Sequence, residues 1–407
     1  MTVSSPLLPA VDLTGRARLL QLARQGDAAV DSHPDVGGNA VRLIVDNAQL
    51  RPRLLDDIRS ARSVINAQEF IWTGDGIGRD VAEALKAKAR EGVQVNVQLD
   101  GTGSSGFPFG LHPAMSSGKY RAFVADMRAA GVNVVENWRY GKDVAAGAAP
   151  SWDHRKLFTF DGRVGYVGGI NLSDRFEDWH DTMARVEGPA VAQVDAEFLG
   201  RWRDIGGAIS PQQARAVTDA GLGARLAGTA TARVVTNSPG ARRDLTESYL
   251  DDIRRATKRL WVTSPSVASP ELVTALEVAS RRGVDVRLVL PSFAARDGDP
   301  VTRSITNTYV DELVERGVQV WEHPRTVHAK VLLSDDTATV GSFNLNTRSQ
   351  SKDLEAGLRV RDDAFTGDVE QLFDNAFRDA RPVTRAEGRS PLRQAVRGVR
   401  ELFGLRF

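Results

Sequence analysis

The sequence contains no cysteine, and this absence removes several kinds of chemistry. Disulfide bonds, thiolate zinc sites and a cysteine nucleophile are all excluded. No group of His, Asp and Glu residues has the spacing of metal ligands, so neither a metal nor another cofactor is predicted. Any catalysis must therefore use the other acidic, basic and nucleophilic side chains.

Long hydrophobic runs and an excess of one charge are also missing. Nowhere do about 18 apolar residues follow one another, so no transmembrane helix is predicted. Residues 1–37 lack a basic segment followed by an apolar run, and no signal peptide is predicted there. The formal net charge of +1 gives no overall basic field, which disfavours a nucleic-acid partner.

The same order of segments occurs twice along the 407 residues. Apolar patterns typical of strands alternate with patterns typical of helices. The matched segments are 41–45, 54–61, 64–71, 81–92, 93–99 and 127–134 in the first half, and 233–235, 250–256, 259–263, 272–283, 284–290 and 313–320 in the second. This repetition predicts an α/β fold of two similar domains, each a mixed, mostly parallel sheet flanked by helices.

The repeat also gives the expected domain boundaries. We divide the chain into an N-terminal extension (1–37), a first domain (38–220), a second domain (232–382) and a C-terminal tail (383–407). The stretch between the two domains, 221–231, is rich in Ala, Gly and Thr and is the predicted linker.

Each series of segments ends in His-x-Lys, followed by Asp and then by Gly-x-x-Asn. The two copies are His154, Lys156, Asp161, Gly168, Gly169 and Asn171, and His328, Lys330, Asp335, Gly341, Ser342 and Asn344. Strand alternation places the histidine and the lysine of each copy on one side. Asp161-Gly162 predicts a hairpin turn, after which the returning strand brings Gly-x-x-Asn beside the histidine.

These residue types suit the cleavage of a phosphodiester. A neutral imidazole can attack phosphorus, and a second, protonated imidazole can give a proton to the departing alkoxide. Two lysines and two asparagines can bind the non-bridging oxygens and stabilise the charge of the transition state. The glycines would let the backbone approach the phosphate. The alternative is a module that binds phosphate without turnover.

The doubled His-x-Lys-x4-Asp…Gly-x-x-Asn pattern resembles the phospholipase D superfamily. The flanking segments resemble its bacterial cardiolipin synthase branch, in a short form without transmembrane helices. These segments are Asp153–Lys156, Gly168–Leu172, Trp179–Asp181, Glu187–Ala190, Val327–Lys330, Ala338–Ser342 and Asn346–Ser349. The resemblance, over roughly residues 41–380, implies an active site at the interface of the two domains and a phosphohistidine intermediate. It assigns catalytic roles to both copies, Asp161 and Asp335 included.

An acidic residue follows each histidine at the same distance. Asp181 lies 27 positions after His154 (181 − 154), and Glu355 lies 27 positions after His328 (355 − 328). In the family that the sequence resembles, such an acid hydrogen-bonds a catalytic histidine, which fixes the tautomer and orients the ring. The alternative is two surface carboxylates at a coincident spacing.

The two copies are not identical. The second copy has one residue fewer between its Asp and its Gly, which leaves Asp336 as an alternative to Asp335. Ser342 stands where the first copy has Gly169. The resemblance favours His154 as the nucleophile, although the residues themselves do not distinguish it from the second histidine.

The resemblance implies phosphatidyl transfer of the cardiolipin synthase kind, in which phosphatidylglycerol gives cardiolipin plus glycerol. Hydrolysis of phospholipids to phosphatidic acid by the same site is the first alternative, and a phosphodiesterase or nuclease is the second. An alternative from another class is a non-catalytic protein that binds phospholipid headgroups.

Residues 390–407 have the pattern of a basic amphipathic helix. Ser390 suits the N-cap and Pro391 the first helical position. One face is apolar and another is basic, with Leu392, Val396, Val399 and Phe403 against Arg393, Arg397 and Arg400. Such a helix can lie in an anionic membrane interface, or it can pack on the protein itself. With a phospholipid substrate, we expect a cytoplasmic protein that is peripheral on the inner face of the membrane.

Overall fold

The computed structural model describes residues 33–105, 117–138, 151–210, 226–240, 242–292 and 300–384. Outside these ranges lie residues 221–225 of the predicted linker and the predicted tail helix at 390–407. Among the described residues, no helix has both the length and the apolar character that crossing a bilayer requires.

The first half alternates strands and helices in the predicted order. Its strands are β1 (Val36–Val45), β2 (Val64–Glu69), β3 (Gln94–Asp100), β4 (Asn133–Asn137), β5 (Leu157–Phe160), β6 (Val164–Gly168) and β7 (Thr182–Glu187). Its helices are α1 (Asp46–Ser60), α2 (Gly76–Arg90), α3 (Gly101–Ser105), α4 (Ser117–Ala129) and α5 (Val191–Asp204), with a 3-10 turn at Asp174–Phe176. Helix α2 buries Ile77, Val81 and Leu85, whose spacing puts them on one face.

The second half repeats this order. Its strands are β8 (Ala230–Ser238), β9 (Arg242–Arg243), β10 (Arg259–Thr263), β11 (Val267–Ala268), β12 (Asp285–Pro291), β13 (Gln319–His323), β14 (Val331–Ser334), β15 (Thr337–Gly341), β16 (Leu345–Asn346), β17 (Glu355–Arg361) and β18 (Arg381–Pro382). Its helices are α6 (Asp244–Arg255), α7 (Pro270–Arg281), α8 (Pro300–Glu315), α9 (Thr347–Ser351) and α10 (Asp363–Asp379). Helix α7 begins after an N-cap, Ser269, whose hydroxyl accepts the amide of Leu272.

The strand order relates the two halves by an approximate two-fold axis. The main sheet runs β18-β13-β12-β10-β14-β15-β17-β8-β1-β7-β6-β5-β2-β3-β4, and β9 pairs with β8. Reading outward from the junction of β8 and β1, equivalent strands follow one another on both sides. The prediction of an α/β fold with two similar halves is therefore confirmed.

Each half of the sheet is mixed, as predicted, but its pairs are not mostly parallel. In the first half β2, β3 and β4 are parallel, whereas β5, β6, β7 and β1 add antiparallel pairs. The second half has the same pattern, with β10, β12 and β13 parallel. The prediction of a mostly parallel sheet is wrong because each His-x-Lys segment leads into a hairpin, and hairpin strands are antiparallel.

The two halves share one sheet and one apolar core. Strand β1 pairs with β8 through Val36↔Ala232 and Asn39↔Ala230, so it begins two residues before the expected boundary at 38. One core cluster contains side chains from both halves, among them Leu157, Val167, Val186, Val331, Val340 and Leu358. Separating the halves would expose this apolar surface to water, which opposes their movement apart.

Asp161 and Asp335, which the motif groups with the catalytic residues, lie in the hairpin turns. Both adopt a left-handed conformation, with φ of 53° and 48°. Each carboxylate accepts three backbone amides of the segment that leads into the neighbouring strand, at Arg62, Ser63 and Val64, or at Thr257, Lys258 and Arg259.

The expected catalytic role of these two aspartates is therefore corrected. Each lies five residues beyond the motif lysine, about 16 Å along an extended strand. Their carboxylates hold the turn to the adjacent strand instead of facing the histidines. The same contacts show that Asp335, and not Asp336, is the counterpart of Asp161.

Replacing Asp335 should therefore lower stability and leave the chemistry of the folded protein in place. We expect Asp335→Ala to reduce the free energy of unfolding by about 2 kcal/mol, because three amides lose their acceptor. The adjacent Asp336→Ala is the matched control and should change it by less than about 0.5 kcal/mol. Urea unfolding measures both, and a loss of turnover at unchanged stability in Asp335→Ala would contradict the structural role.

Candidate active site

The two His-x-Lys segments meet where the halves face each other. His154 lies just before β5, and His328 lies just before β14. The amide of His154 donates to the carbonyl of Leu354 at 2.9 Å, and the amide of His328 donates to the carbonyl of His180 at 2.8 Å. The backbone of each histidine is thus held by the opposite half of the chain.

Each imidazole is also hydrogen-bonded to a carboxylate of the opposite half. Nδ1 of His154 lies 3.0 Å from Oε2 of Glu355, and Nδ1 of His328 lies 2.6 Å from Oδ2 of Asp181. A carboxylate at Nδ1 selects the tautomer that carries its proton there, which leaves the lone pair on Nε2. The structure brings together the residues at the 27-position spacing, but each acid serves the histidine of the other half.

Burial lowers the pKa of both histidines, and the nearby lysines lower it further. The pKa of His154 falls well below its ordinary value, and that of His328 falls to about 4. Both imidazoles are therefore neutral at pH 7, the form that can attack phosphorus. Each packs against an aromatic ring, Phe70 at 4.8 Å from His154 and Trp179 at 5.1 Å from His328 between centroids.

The two acids differ in charge at neutral pH. Burial raises the pKa of Glu355 to about 7, in spite of the hydrogen bonds that it accepts. Burial acts on Asp181 too, but the charges of Lys330 and His328 outweigh it and lower the pKa of Asp181 to about 2. An ionised carboxylate thus lies beside His328, whereas the carboxyl beside His154 is only partly ionised.

The two motif lysines are wholly buried next to the histidines. Nζ of Lys156 donates to the carbonyl of His154 at 2.7 Å. Nζ of Lys330 donates to the carbonyl of His328 and lies 2.8 Å from Nδ1 of that ring. Burial lowers the pKa of Lys156, and it lowers the pKa of Lys330 to about 7. The site therefore places two amine groups, whose pKa values burial lowers, next to the carboxylates that hold the histidines.

Asn171 and Asn344 follow the returning strands of the two hairpins. The amide oxygen of each is buried and has no hydrogen-bond partner among the described residues. Buried polar atoms are otherwise almost always satisfied in folded proteins. Two equivalent unsatisfied amides are typical of positions that a ligand completes.

The glycines of the motifs allow neighbouring strands and side chains to pack closely, and they do not bring backbone to a phosphate. A Cβ at Gly168 or Gly341 would lie 2.5 or 2.4 Å from backbone atoms of the adjacent strand, and one at Gly169 would lie 2.4 Å from Oδ1 of Asp181. The amides of these glycines and of Ser342 all donate to backbone carbonyls. The expectation that they bring free backbone to the phosphate is wrong. The Ser342 hydroxyl donates to the acid of its own half.

Beside the first motif lies a buried ionic network that was not predicted from the sequence. Asp153 accepts hydrogen bonds from Arg155 and Arg201, and Arg155 and Arg242 both donate to Glu197. Since Arg242 belongs to the second half, this network also joins the halves. A signal was present, because Asp153 and Arg155 alternate with the histidine and the lysine and must face the other side of the segment.

The crossed arrangement predicts which imidazole responds to the loss of each acid. Glu355→Gln should shift the ¹⁵N resonances of His154, because its Nδ1 loses a carboxylate partner, and should leave those of His328 in place. Asp181→Asn should do the reverse. Histidine-selective ¹⁵N NMR measures both, and Glu247→Gln, an exposed residue of α6, is the control. Shifts confined to the histidine of the same half would contradict the crossing.

Two solved structures resemble the fold over nearly the whole chain. Phosphatidylserine synthase of Haemophilus influenzae Rd KW20 matches with a TM-score of 0.69 and 14% identity, covering 96% of this chain and 97% of that one. Polyphosphate kinase from Porphyromonas gingivalis matches with a TM-score of 0.55 and 13% identity, covering 99% of this chain and 57% of that one. At these identities the likeness concerns the fold alone.

Sequence relatives cover most of the chain. Cardiolipin synthase A of Pseudomonas putida (strain GB-1) is 29% identical over 404 residues, which are 95% of this chain and 79% of that protein. Cardiolipin synthase A of Pseudomonas aeruginosa (strain LESB58) is 30% identical over 383 residues, 90% of this chain and 73% of that protein. The family described as "Cardiolipin synthase, PLD-like domain" matches residues 54–202 and 249–377. With both halves matched, the chain belongs to this family of phospholipase D-like proteins.

Proposed function

We propose that the protein is a phosphatidyltransferase of the cardiolipin synthase kind, which converts two molecules of phosphatidylglycerol into cardiolipin and glycerol. One observation carries this proposal. Two buried neutral imidazoles are held in one site, each with Nδ1 on a carboxylate of the opposite half and a lysine beside it. The relatives named cardiolipin synthase A support phosphatidylglycerol as the substrate.

In the first step, Nε2 of one histidine attacks the phosphorus of phosphatidylglycerol. A P–N bond forms, the P–O bond to the glycerol headgroup breaks, and the departing alkoxide takes a proton from the second histidine, which has taken this proton from solvent as the anionic substrate binds. The product is glycerol and a phosphatidyl group bound to the first histidine. The second histidine is left neutral, with a lone pair available as a base.

In the second step, the second histidine removes a proton from a hydroxyl of another phosphatidylglycerol. The hydroxyl oxygen attacks phosphorus, the P–N bond breaks, and cardiolipin leaves. The first histidine returns to its neutral form and the second regains its proton. The two steps balance without a metal or an oxidant, and water in place of the alcohol gives phosphatidic acid.

His154 is the proposed nucleophile and His328 the proposed acid and base. The ionised carboxylate of Asp181 stabilises an imidazolium at His328, which has to carry the proton. The partly neutral Glu355 stabilises a positive charge at His154 less. The two acids therefore favour this division of roles.

The lysines and asparagines are the proposed phosphate ligands. Lys156 and Lys330 place charge where the non-bridging oxygens would become more negative in the transition state. Asn171 and Asn344 would bind a phosphate oxygen only through their NH2 groups, which donate, whereas their unpaired amide oxygens could accept only from a hydroxyl of the substrate. Gly168, Gly169, Gly341 and Ser342 support the site through the strand and acid contacts described above.

The protein is also proposed to reach its lipid from the membrane surface, on the cytoplasmic face. A phospholipid substrate requires contact with a bilayer, and no described helix crosses one. The basic amphipathic pattern of residues 390–407 suits an interfacial helix.

Turnover of phosphatidylglycerol vesicles tests the proposed reaction. The purified protein should release glycerol and form cardiolipin, and mass spectrometry identifies both. His154→Ala and His328→Ala should each lower turnover by about 10³-fold or more, since each removes a group that bonds to or protonates the substrate. Phosphatidic acid as the sole product would make the protein a hydrolase, and no turnover of any phospholipid would refute enzymatic action on lipids.

The variation of kcat/KM with pH should reflect the charge of Lys330. Because burial lowers its pKa to about 7, its ammonium is charged below this pH and neutral above it. We expect kcat/KM to fall more steeply with rising pH above about 7, as the substrate-free enzyme loses this charge in addition to the proton of His328, whose pKa of about 4 lies lower. In Lys330→Arg the guanidinium stays charged, so the additional fall above about pH 7 should disappear. An additional fall that persists would assign it to Glu355, which titrates in the same range.

A further inference from the structure

One buried acid near the site has no part in the mechanism above. Glu69, the last residue of β2, is 1% exposed, and neither carboxyl oxygen has a well-aligned hydrogen-bond partner among the described residues, although the neighbouring Phe70 amide acts on it and lowers its pKa. Burial raises its pKa well above the ordinary value, against the opposing charge of Lys156. A buried carboxyl without a partner is unfavourable, so the position has a use that the substrate-free site does not show.

The sheet register places Glu69 in the site. Strand β2 pairs with β5 through Gln68↔Leu157, so the next pair sets Glu69 opposite Lys156. Directly opposite residues of an antiparallel pair point to the same face, the face of Lys156 and His154. The charge of Asp181, which holds the other histidine, also acts on Glu69. Glu69 therefore lies close to the first motif, with His154 and Lys156, and also to the acid that holds the second histidine.

The second half has a different residue at this position. There β10 pairs with β14 through Thr263↔Val331, so Ser264 is opposite Lys330. The hydroxyl of Ser264 is already used, since it donates to the carbonyl of Ser266 and accepts the amide of Leu345. The unsatisfied carboxyl is thus present on one side of the site only.

Phosphatidyl transfer needs such an asymmetry, because the site must bind two different groups, the phosphodiester that is cleaved and the alcohol that accepts the phosphatidyl group. A phosphodiester anion has only acceptor atoms, so it can satisfy Glu69 only in its protonated form. A hydroxyl both donates and accepts, so it can satisfy the carboxyl in either protonation state. Of the two substrate groups, the hydroxyl is the better match.

We propose that Glu69 binds a hydroxyl of the acceptor alcohol and so favours capture of the phosphatidyl group by the glycerol headgroup over capture by water. This inference rests on the proposed transferase function. Glu69 is a specificity-determining residue in it, and the proton transfers remain with the two histidines. The contact between Glu69 and the acceptor hydroxyl is lost if a shorter serine side chain replaces the carboxyl, like Ser264 at the equivalent position of the second half.

The test compares products of the full chain on phosphatidylglycerol vesicles. Glu69→Ala and Glu69→Ser should each lower the ratio of cardiolipin to phosphatidic acid by about tenfold, the size of one hydrogen bond to the acceptor. They should also raise the KM for added glycerol as an acceptor. Glu69→Gln keeps a donor and an acceptor at this place, so it should stay near the wild-type ratio, unlike the two truncated variants. Glu247→Gln, the same exchange at an exposed position, should keep the wild-type ratio.

The ratio is formed within each sample, so it does not depend on how much of a variant folds. An unchanged ratio in Glu69→Ala and Glu69→Ser, even with lower total turnover, would show a merely structural role and overturn the inference. Failure of the proposed function looks different. In that case the wild-type protein itself would form no cardiolipin, and the inference about Glu69 would fall with it.

Discussion

The site depends above all on the crossed hydrogen bonds between each imidazole and the acid of the opposite half. Neither half can orient its own histidine, because Glu355 serves His154 and Asp181 serves His328. The geometry is set only when the halves are packed together. The β1–β8 junction, the shared core cluster and the ionic pairs of Glu197 with Arg242 all act to keep that packing fixed. Orientation within about an ångström is what acid–base and nucleophilic catalysis require.

The approximate two-fold axis supplies two equivalent imidazoles, and side-chain differences make them unequal. The short acid Asp181 approaches Gly169, where a Cβ would lie 2.4 Å from its Oδ1. The longer acid Glu355 takes a hydrogen bond from Ser342 at the equivalent place. Each acid thus matches the residue beside it, and exchanging only one member of a pair would create a clash or leave a hydroxyl without its acceptor. The difference in pKa between the two acids has another cause, because burial outweighs the hydrogen bonds at Glu355, whereas Lys330 and His328 outweigh burial at Asp181.

Much of the fold and of the histidine chemistry could be predicted from the sequence, because it depends on local pattern and on repetition. The alternation around His154 and His328 placed each lysine beside its histidine, and the Asp161-Gly162 pair gave the turn. What could not be predicted depends on contacts between distant residues. The spacing of the acids did not show that they cross between halves. The motif did not show that Asp161 binds backbone amides, and nothing local marked Glu69.

Burial of the charged groups links substrate binding to protonation. In the substrate-free site the ionised Asp181 is balanced by Lys330, whose own pKa is lowered to about 7 by burial. A phosphodiester brings one further negative charge into the same low-dielectric space, where opposite charges interact more strongly than in water. It must therefore raise the proton affinity of Lys330 and of His328 together. The substrate thus promotes the protonated imidazole that its own leaving group requires, and a site without substrate keeps both imidazoles neutral.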